Sequence, residues 1–387
     1  MKSIARRARP TIAGLMTGAL AIAAHGQQRF PAPLTSDSPG KVQVLPMPYP
    51  QDWAFLVYAG SKMELIGVSG IGHELKAQLP AFNSATLLVG HFRPEIYVAD
   101  TLWSRGNRGT RTDFITVFDK QTFQPLGEIV LPGGKRGQIE PMQGMFAFTD
   151  EEKLALVFNF TPAASVTVVD LVQRKLLNEI EIPGCTLVYP TGVSGFSTLC
   201  ASGTVLSVQL DAQGEVTSRA ESKPFNRLDT DPLFTTSAVI RGVRYFPSFR
   251  GRVQPIDFHG VEPVVLPDWS LVSRDDAAER WQPSGQQLIA GADDGHLYVI
   301  MQSDAHEGTH KDPGSEVWVY DVGSRTRVKR IRLRQPAVTI ETVAGNNPLL
   351  LVATENQLDV YDLPDGHFLR SFEVPIDNEG ILIEAAR

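Results

Sequence analysis

The segment FITVFDKQTFQPLGEIVLP, residues Phe114–Pro132, decides the fold of this chain. Valine, isoleucine and phenylalanine alternate with polar residues on both of its arms, which is the period of half-buried antiparallel strands. Lys120, Gln121 and Thr122 provide a polar turn, and the Asp119 carboxylate can cap that turn by accepting backbone N–H bonds. The segment therefore predicts a β-hairpin.

The same unit of strand, turn and strand recurs along the chain. Its first strand ends in a turn residue at Ser69, Asp119, Asp170, Asp211, Asp257, Asp321 and Asp362. These positions lie about 40–65 residues apart, and a four-stranded propeller blade takes roughly 40–50 residues. Neighbouring blades must close into a ring because one blade cannot bury both of its faces. We therefore predict an all-β fold, a seven-bladed β-propeller of four-stranded antiparallel blades over residues 41–387, rather than a β-sandwich pair or an eight-bladed ring.

One stretch of the sequence has helical character, RDDAAER at Arg274–Arg280. We expect it to form one or two helical turns within an otherwise all-β chain.

The first 26 residues have the features of a signal peptide. Their basic residues are Lys2, Arg6, Arg7 and Arg9, a short apolar run follows, and the small residues Ala24 and Gly26 suit signal peptidase. The apolar run is too short to span about 30 Å of hydrocarbon. We expect a cleaved signal peptide over 1–26, an N-terminal extension over 27–40 and no membrane anchor after cleavage. Arg6 and Arg7 also leave twin-arginine export open.

The charge of the chain limits its partners. Cleavage at residue 26 would remove four cations and no acids, which changes the formal net charge from −7 to −11. An acidic chain argues against nucleic acid and anionic membrane surfaces as partners. It allows a neutral or basic protein partner, or a cationic substrate.

Cys185 and Cys200 are the two cysteines of the chain. An even pair in an exported protein is normally oxidised. The residues between them form two short strand-like arms around Gly192–Gly195, so a hairpin would bring the two thiols together. A redox-active pair is the alternative, although such pairs are usually closer in sequence.

His306–His310 reads HEGTH and formally matches the H-E-x-x-H pattern of zinc proteases. That chemistry requires a helix that projects both histidines from one face. Gly308 and Thr309 are poor helix formers, and Asp312–Gly314 follows at once, so we expect a loop and no metal ligand. A propeller hydrolase would need histidines or acids converging on the axis, and the sequence does not reveal such a set.

The insertion Thr101–Arg111, TLWSRGNRGTR, is where the repeat stops being regular. Insertions in connecting loops often carry function, and arginine is enriched at interfaces because it pairs bidentately and stacks on aromatic rings. Its candidate interface residues are Trp103, Arg105, Arg108 and Arg111. A second insertion, Pro267–Gln286, adds Trp281. The alternative is a solvated loop.

Three blocks of this sequence resemble the large (heavy) subunit of bacterial amine dehydrogenases, a family that includes the methylamine and aromatic-amine enzymes. They are YVADTLWSRGNRGTRTDFITVFD at Tyr97–Asp119, PGCTLVYPTGVSGFSTLCASGTVL at Pro183–Leu206, and the stretch Trp281–Asp321. The resemblance implies a seven-bladed propeller and matches Cys185 and Cys200 to the family's disulfide within one blade. The chain departs from the family at Val57–Gly67, which is short and offers no match for the family's channel-lining Phe; Phe55 is assigned to a strand.

The resemblance also implies a function. Family members are periplasmic α2β2 heterotetramers, oxidoreductases that convert a primary amine to an aldehyde and ammonia and pass electrons to a cupredoxin such as amicyanin or azurin. Tryptophan tryptophylquinone and the catalytic Asp belong to a separate cysteine-rich small subunit. We expect this chain to be the large subunit, with no catalytic, cofactor-binding or metal-binding residue of its own, which docks the small subunit and helps form the substrate channel. The alternative is a stand-alone periplasmic propeller that binds a ligand or a protein.

Overall fold

The structure is a computed structural model that describes residues 44–58, 62–70, 74–82, 84–137, 141–363, 365–374 and 381–386. They fall within one unit, Gln43–Arg387. The predicted signal peptide, 1–26, and N-terminal extension, 27–40, lie outside the described residues. In the part of the chain that the structure describes, no helix has the length and apolar character to cross a membrane.

The first half of the described chain contains strands β1 to β15. They are β1 (Trp53–Tyr58), β2 (Lys62–Gly67), β3 (Glu74–Pro80), β4 (Thr86–Val89), β5 (Glu95–Trp103), β6 (Arg111–Asp119), β7 (Pro125–Val130), β8 (Phe146–Phe148), β9 (Leu154–Asn159), β10 (Ser165–Asp170), β11 (Lys175–Glu181), β12 (Cys185–Thr191), β13 (Gly195–Cys200), β14 (Val205–Leu210) and β15 (Val216–Glu221). A 3₁₀ turn at Asp150–Glu152 precedes β9.

The second half contains strands β16 to β29. They are β16 (Ala238–Ile240), β17 (Val243–Pro247), β18 (Arg252–Asp257), β19 (Val264–Val265), β20 (Trp269–Ser270), β21 (Gln282–Pro283), β22 (Ile289–Gly291), β23 (His296–Gln302), β24 (Gly314–Asp321), β25 (Thr326–Val343), β26 (Leu349–Thr354), β27 (Gln357–Asp362), β28 (Phe368–Glu373) and β29 (Ile381–Ala385). A helix, α1 (Arg274–Ala278), lies between β20 and β21, and a second 3₁₀ turn occupies Thr309–Lys311.

The strands form six antiparallel sheets among the described residues. Sheet 1 has the order β29-β1-β2-β3, sheet 2 β4-β5-β6-β7, sheet 3 β11-β10-β9-β8 and sheet 4 β12-β13-β14-β15. Sheet 5 joins β16 to β20, and sheet 6 joins the eight strands β21 to β28. The all-β propeller fold is confirmed, but the prediction of seven separate four-stranded blades is wrong.

The long strand β25 is the reason for the error in the blade count. Its first part pairs with β24, from Asp321↔Thr326 onward, and its second part pairs with β26, ending at Val343↔Leu349. The backbone stays extended through Pro336, because proline is compatible with extended φ and no glycine or asparagine turn reverses the chain there. Two predicted blades therefore share one hydrogen-bonded sheet.

The core lies between neighbouring sheets. Strand β5 shows how side chains that alternate between the two faces of a strand produce this core. Ile96 and Val98 face one way and pack in a cluster with Phe55 of β1. Tyr97 and Ala99 face the other way and pack in a cluster with Val157 of β9. Successive strand residues point to opposite faces, so each inner strand is buried by a sheet on either side.

The opening hairpin of the sequence is present as β6 and β7. The Asp119 Oδ1 accepts hydrogen bonds from the backbone N of Gln121 at 3.1 Å and of Thr122 at 2.8 Å. Together with the bond from the Thr122 hydroxyl, which is the main cause, these bonds hold the pKa of Asp119 below its usual value. The predicted turn cap is confirmed.

The helical turn predicted near Arg274 is also present, as α1. The Ser273 hydroxyl caps it by accepting from the Asp276 backbone N at 3.1 Å, and Asp276 Oδ2 accepts from the Ser273 N at 2.8 Å. This reciprocal capping box stabilises a helix that would otherwise be too short to persist.

Candidate functional site

The insertion Thr101–Arg111 is part of a two-stranded extension of sheet 2. β5 and β6 pair over their whole length, from Glu95↔Asp119 to Trp103↔Arg111. The pairing of the neighbouring strands stops earlier, β4 at Ala99 and β7 at Phe114. Two backbone bonds close the tip, Ser104 N to Thr110 O at 2.9 Å and Arg105 N to Arg108 O at 3.0 Å. We call residues 101–113 the projecting hairpin.

The projecting hairpin presents several of the predicted interface side chains to solvent. Arg105 and Arg108 are exposed, and Trp103 is half-buried. Leu102, which the sequence analysis did not single out, is 40% exposed. Arg111 points back toward the sheet, where its Nε donates to Asp113 Oδ1 at 2.8 Å. The hairpin thus combines apolar and cationic groups at its outer end.

A buried charged cluster fixes the base of the projecting hairpin. Arg136 is 2% exposed and its neighbours Asp100 and Asp113 are 3% and 0% exposed. The Arg136 guanidinium donates to Thr101 Oγ1 at 3.3 Å and to the Ser84 carbonyl. The backbone N of Arg136 also donates to Asp113 Oδ2 at 3.3 Å. The loop after β7 is in this way tied to both strands of the hairpin.

Burial shifts the ionisation of this cluster. It lowers the pKa of Arg136 to about 10, an effect that the Asp100 and Asp113 carboxylates partly offset. It raises the pKa of Asp100, while the N–H bonds from Thr101 and Phe82 favour the carboxylate. Arg136 stays charged at neutral pH, so the two carboxylates keep a buried cation between them. Removing one member of such a cluster leaves an uncompensated buried charge.

Trp281 directly precedes β21 of sheet 6, whereas the projecting hairpin belongs to sheet 2. It is 7% exposed, its ring lies 5.1 Å from that of Trp318, and the Arg330 guanidinium stacks 4.6 Å from its centroid. Its Nε1 donates to Glu279 Oε2 at 3.0 Å. The structure therefore gives Trp281 a packing role and does not bring it together with Trp103.

A disulfide joins Cys185 and Cys200. Cys185 opens β12, Cys200 ends β13, and the two residues are paired in the strand register. Both ends of this hairpin therefore meet as the sequence predicted, within sheet 4.

The HEGTH segment is a loop, as predicted. Gly308 has a φ of 94°, and only Thr309–Lys311 forms a 3₁₀ turn. His306 is exposed, whereas the His310 ring stacks on Phe249 with a centroid distance of 4.4 Å. A helix that would project both histidines from one face is not formed.

In the described part of the chain, Asp362, Asp365 and His367 place atoms that could bind a metal ion within 4.8 Å of one another. Asp365 and His367 are exposed. The Asp362 carboxylate accepts from the His367 backbone N, so closing the turn between β27 and β28 accounts for this group.

Innermost strands from all six sheets surround a cavity of about 420 Å³, which we call the axial cavity. Its lining comes from β1, β4, β8, β12, β16, β17, β22, β25 and β29 and from loops between strands. Its wall combines apolar side chains, such as those of Leu87, Val188 and Ile289, with polar groups. Among its polar side chains, which the sequence analysis missed, are those of His91, Arg244, Glu341 and Glu384.

Arg244 and Glu384 are the charged pair of the axial cavity. Burial raises the pKa of Glu384 to about 7, an effect that the positive charge of Arg244 opposes. Burial also lowers the pKa of Arg244. Arg244 Nη1 donates to Ser237 Oγ at 3.2 Å, and the guanidinium lies 5.5 Å from the Tyr189 ring centroid. Arg244 lies on β17 and Glu384 on β29, so no local sequence motif indicates that the two residues lie close together.

Phe55 lies just before Val57–Gly67, the segment at which the chain departs from the family that it resembles. Phe55 is buried within β1, and its ring stacks on Phe123 at 6.4 Å. β1 ends at Tyr58 and β2 begins at Lys62, with Val57 paired to Met63. Residues 59–61 lie outside the described residues. The assignment of Phe55 to a strand is confirmed.

Comparison with solved structures reports on the fold alone. A putative 6-phosphogluconolactonase from Bacteroides fragilis has a TM-score of 0.55 at 12% identity, covering 86% of this chain and 98% of that protein. A dihydro-heme d1 dehydrogenase, NirN, has a TM-score of 0.52 at 13% identity, covering 87% of this chain and 75% of that protein.

Comparison with curated proteins reports on the family. The chain is 27% identical to the methylamine dehydrogenase heavy chain of Methylorubrum extorquens (68% of this chain, 64% of that one), 26% identical to that of Methylophilus methylotrophus (81% and 75%) and 28% identical to that of Paracoccus versutus (71% and 65%). The aligned part thus spans about two thirds to three quarters of the length of these relatives. The family model described as methylamine dehydrogenase heavy chain (MADH) matches residues 60–375, which include the projecting hairpin and both cysteines. This chain therefore belongs to the methylamine dehydrogenase heavy chain family.

Proposed function

We propose that this chain is the large, non-catalytic propeller subunit of a periplasmic quinoprotein amine dehydrogenase. The enzyme would oxidise a primary amine to an aldehyde and ammonia and pass the electrons to a cupredoxin of the amicyanin or azurin type. The observation that carries the proposal is the family match over residues 60–375. A protein named a heavy chain implies a light chain, and we assign the tryptophan tryptophylquinone to that small subunit in an α2β2 assembly.

The projecting hairpin is the surface that we assign to docking of the small subunit. Arg105 and Arg108 form no ion pair with the residues that the structure describes, although the whole chain has a formal net charge of −7. Leu102 and Trp103 beside them supply apolar area, and the Arg136 cluster holds the hairpin rigidly. Aromatic and arginine side chains on a rigid support are the groups that most often dominate binding energy at interfaces.

Purification of the tagged full chain with its natural partners tests the subunit function. We expect a small cysteine-rich protein to co-purify, with quinone absorbance and amine-dependent dye reduction in the complex. A monomeric chain that shows none of these would refute the subunit function and favour a stand-alone periplasmic propeller that binds a ligand or a protein.

A charge reversal tests the docking surface separately. The double variant Arg105→Glu/Arg108→Glu should reduce capture of the small subunit by about tenfold or more, since loss of 1.4 kcal/mol of binding free energy is a factor of ten. Arg219→Glu/Arg332→Glu is the matched control, because it makes the same charge change at two exposed arginines on β15 and β25. Equal capture by both double variants would refute the hairpin as the docking site and leave the subunit function standing.

A further inference from the structure

The Arg244 guanidinium brings hydrogen-bond donors into the axial cavity that the described residues leave largely unused. A guanidinium carries five N–H donors in a fixed planar fork. Nη1 of Arg244 donates to Ser237 Oγ at 3.2 Å, and no carboxylate of a described residue lies within 4.0 Å to form an ion pair with the side chain. The Tyr189 ring lies against the group, 5.5 Å from its centroid. The other N–H groups of Arg244 are therefore available to an occupant of the cavity.

Gln143 and Glu384 offer hydrogen-bond acceptors to the same cavity. The Gln143 side-chain oxygen is buried and has no hydrogen-bond partner among the described residues. The Glu384 carboxyl forms no hydrogen bond with a described residue, and it interacts with Arg244 only through its charge. The Glu341 carboxylate, by contrast, already accepts hydrogen bonds of 2.8 Å from protein groups. An occupant that carries both an anionic acceptor and a neutral donor therefore complements the unused groups.

The charges of the axial cavity favour an occupant with a single negative charge. One guanidinium, that of Arg244, can neutralise one such charge, and the Glu341 carboxylate would repel a second. A carboxylate also matches the planar fork of a guanidinium, with which it can form two parallel hydrogen bonds. Below its pKa of about 7, a value that burial raises, Glu384 is neutral and does not oppose a ligand carboxylate.

The size and walls of the axial cavity restrict the occupant further. A volume of about 420 Å³ falls within the range of roughly 300–1,000 Å³ found for small-molecule sites. The side chains of Leu87, Val188 and Ile289 can contact a short alkyl chain, while the polar groups of the wall contact its substituents. Ordered water is the competing occupant, because it can also satisfy isolated polar atoms.

We infer that the axial cavity binds a short-chain hydroxycarboxylate monoanion, whose carboxylate pairs with the Arg244 guanidinium and whose hydroxyl group donates to the Gln143 side-chain oxygen. Glu384 lies beside the bound carboxylate in its neutral form. The ligand has no amino group, so it is distinct from the amine that the proposed enzyme would oxidise, and no bond is made or broken in the cavity. The inference does not depend on that proposed function, since binding to this chain alone reports on the cavity.

Isothermal titration of the full exported chain with 3-hydroxybutyrate at pH 6 tests the inference. At that pH the ligand carboxylate is ionised, whereas Glu384 is mostly neutral. We expect saturable binding of one anion per chain. Methyl 3-hydroxybutyrate lacks the negative charge and should bind at least tenfold more weakly, and butyrate lacks the hydroxyl group and should bind about fivefold more weakly. Absence of saturable binding would show that water alone fills the cavity, and equal binding of the methyl ester would equally overturn the inference.

Variants assign the binding to the two named side chains. Arg244→Lys keeps the positive charge but loses the planar fork, so it should weaken binding of 3-hydroxybutyrate at least tenfold. Arg219→Lys is the matched control at an exposed arginine and should leave binding unchanged. Gln143→Leu should bind 3-hydroxybutyrate and butyrate equally, because the acceptor of the hydroxyl group is gone. Circular dichroism establishes that each variant is folded. Unchanged binding in Arg244→Lys, or a preference for the hydroxyl group that persists in Gln143→Leu, would refute the assigned contacts.

The pH dependence of binding tests the position of Glu384. Ionised Glu384 repels a carboxylate, so the affinity of the wild-type chain should fall about tenfold between pH 6 and pH 8, on either side of the pKa of about 7. The other titratable side chains of the cavity wall are those of His91, Tyr189, Arg244 and Glu341. Glu384→Gln does not ionise, and its affinity should change less than about twofold over the same range. A tenfold fall that persisted in Glu384→Gln would assign the pH dependence to His91 and overturn the placement of Glu384 beside the ligand.

Discussion

Replacing Glu384 with glutamine should change how the stability of the protein depends on pH. The Glu384 carboxyl of the folded chain has a pKa of about 7, raised by burial from the ordinary value of 4.5. Between these two pH values the folded state holds a proton that the unfolded state releases. The free energy of unfolding of the wild-type protein therefore falls as the pH rises through this window, whereas glutamine does not titrate.

The magnitude follows from the two pKa values. At about 1.4 kcal/mol per pH unit the whole window corresponds to about 3 kcal/mol, and the part between pH 5 and pH 8 to about 2.5 kcal/mol. These are upper limits because the Glu384 side chain is only half-buried in the axial cavity. We expect Glu384→Gln to gain about 2 kcal/mol of stability relative to wild type when the pH is raised from 5 to 8.

Urea unfolding at pH 5 and pH 8, followed by tryptophan fluorescence, measures this difference. Comparing the two proteins at each pH cancels the titrating groups that they share and that do not interact with Glu384. Glu307→Gln, an exposed substitution, controls for the loss of a carboxylate as such. If the two stability profiles stayed parallel to within about 0.5 kcal/mol, or diverged in the opposite direction, the raised pKa of Glu384 would be refuted.

Two further predictions concern the cross-link and the cluster that hold the chain together. Replacing both Cys185 and Cys200 with serine opens a loop of sequence separation 15, so the free energy of unfolding should fall by about 3 kcal/mol in urea titrations, and a loss below about 1 kcal/mol would contradict this. Thiol titration of the unfolded, unreduced wild-type protein should find no free thiol. Arg136→Met should cost about 3–5 kcal/mol because it leaves the Asp100 carboxylate buried without a cation. The exposed control Arg105→Met should stay within about 0.5 kcal/mol of wild type, and equal losses in the two variants would refute the role of the cluster.

The candidate interface shows how far local sequence reasoning reaches. Arg105 and Arg108 were predicted as interface residues because they lie in an irregular insertion, and the structure places both side chains at the surface. Trp281 was grouped with them because it lies in another insertion, yet it packs on Trp318. An aromatic side chain in an irregular segment is exposed or buried according to what lies over it, and the sequence does not record that.

The axial cavity could not be predicted from the sequence in the same way. Arg244 lies in sheet 5 and Glu384 on the last strand, and each is a single charged residue with no spacing that marks it. Only closure of the sheets around one axis brings them together. The shift in the pKa of Glu384 has the same origin, because burial raises this pKa and the charge of Arg244 opposes the rise.

The sequence by itself determined the strands, their turns and the family of this protein. Alternation of apolar and polar residues acts over a few residues and needs no distant partner. The same is true of carboxylates such as Asp119, which accepts hydrogen bonds from the backbone N–H groups two and three residues further on. The tertiary structure decided how many sheets those strands form, since β25 remains extended through Pro336 and pairs on both sides. It also decided which charges meet in the axial cavity and beneath the projecting hairpin. Pairing, burial and electrostatic coupling depend on residues far apart in the chain, and so they are fixed only once the strands have assembled.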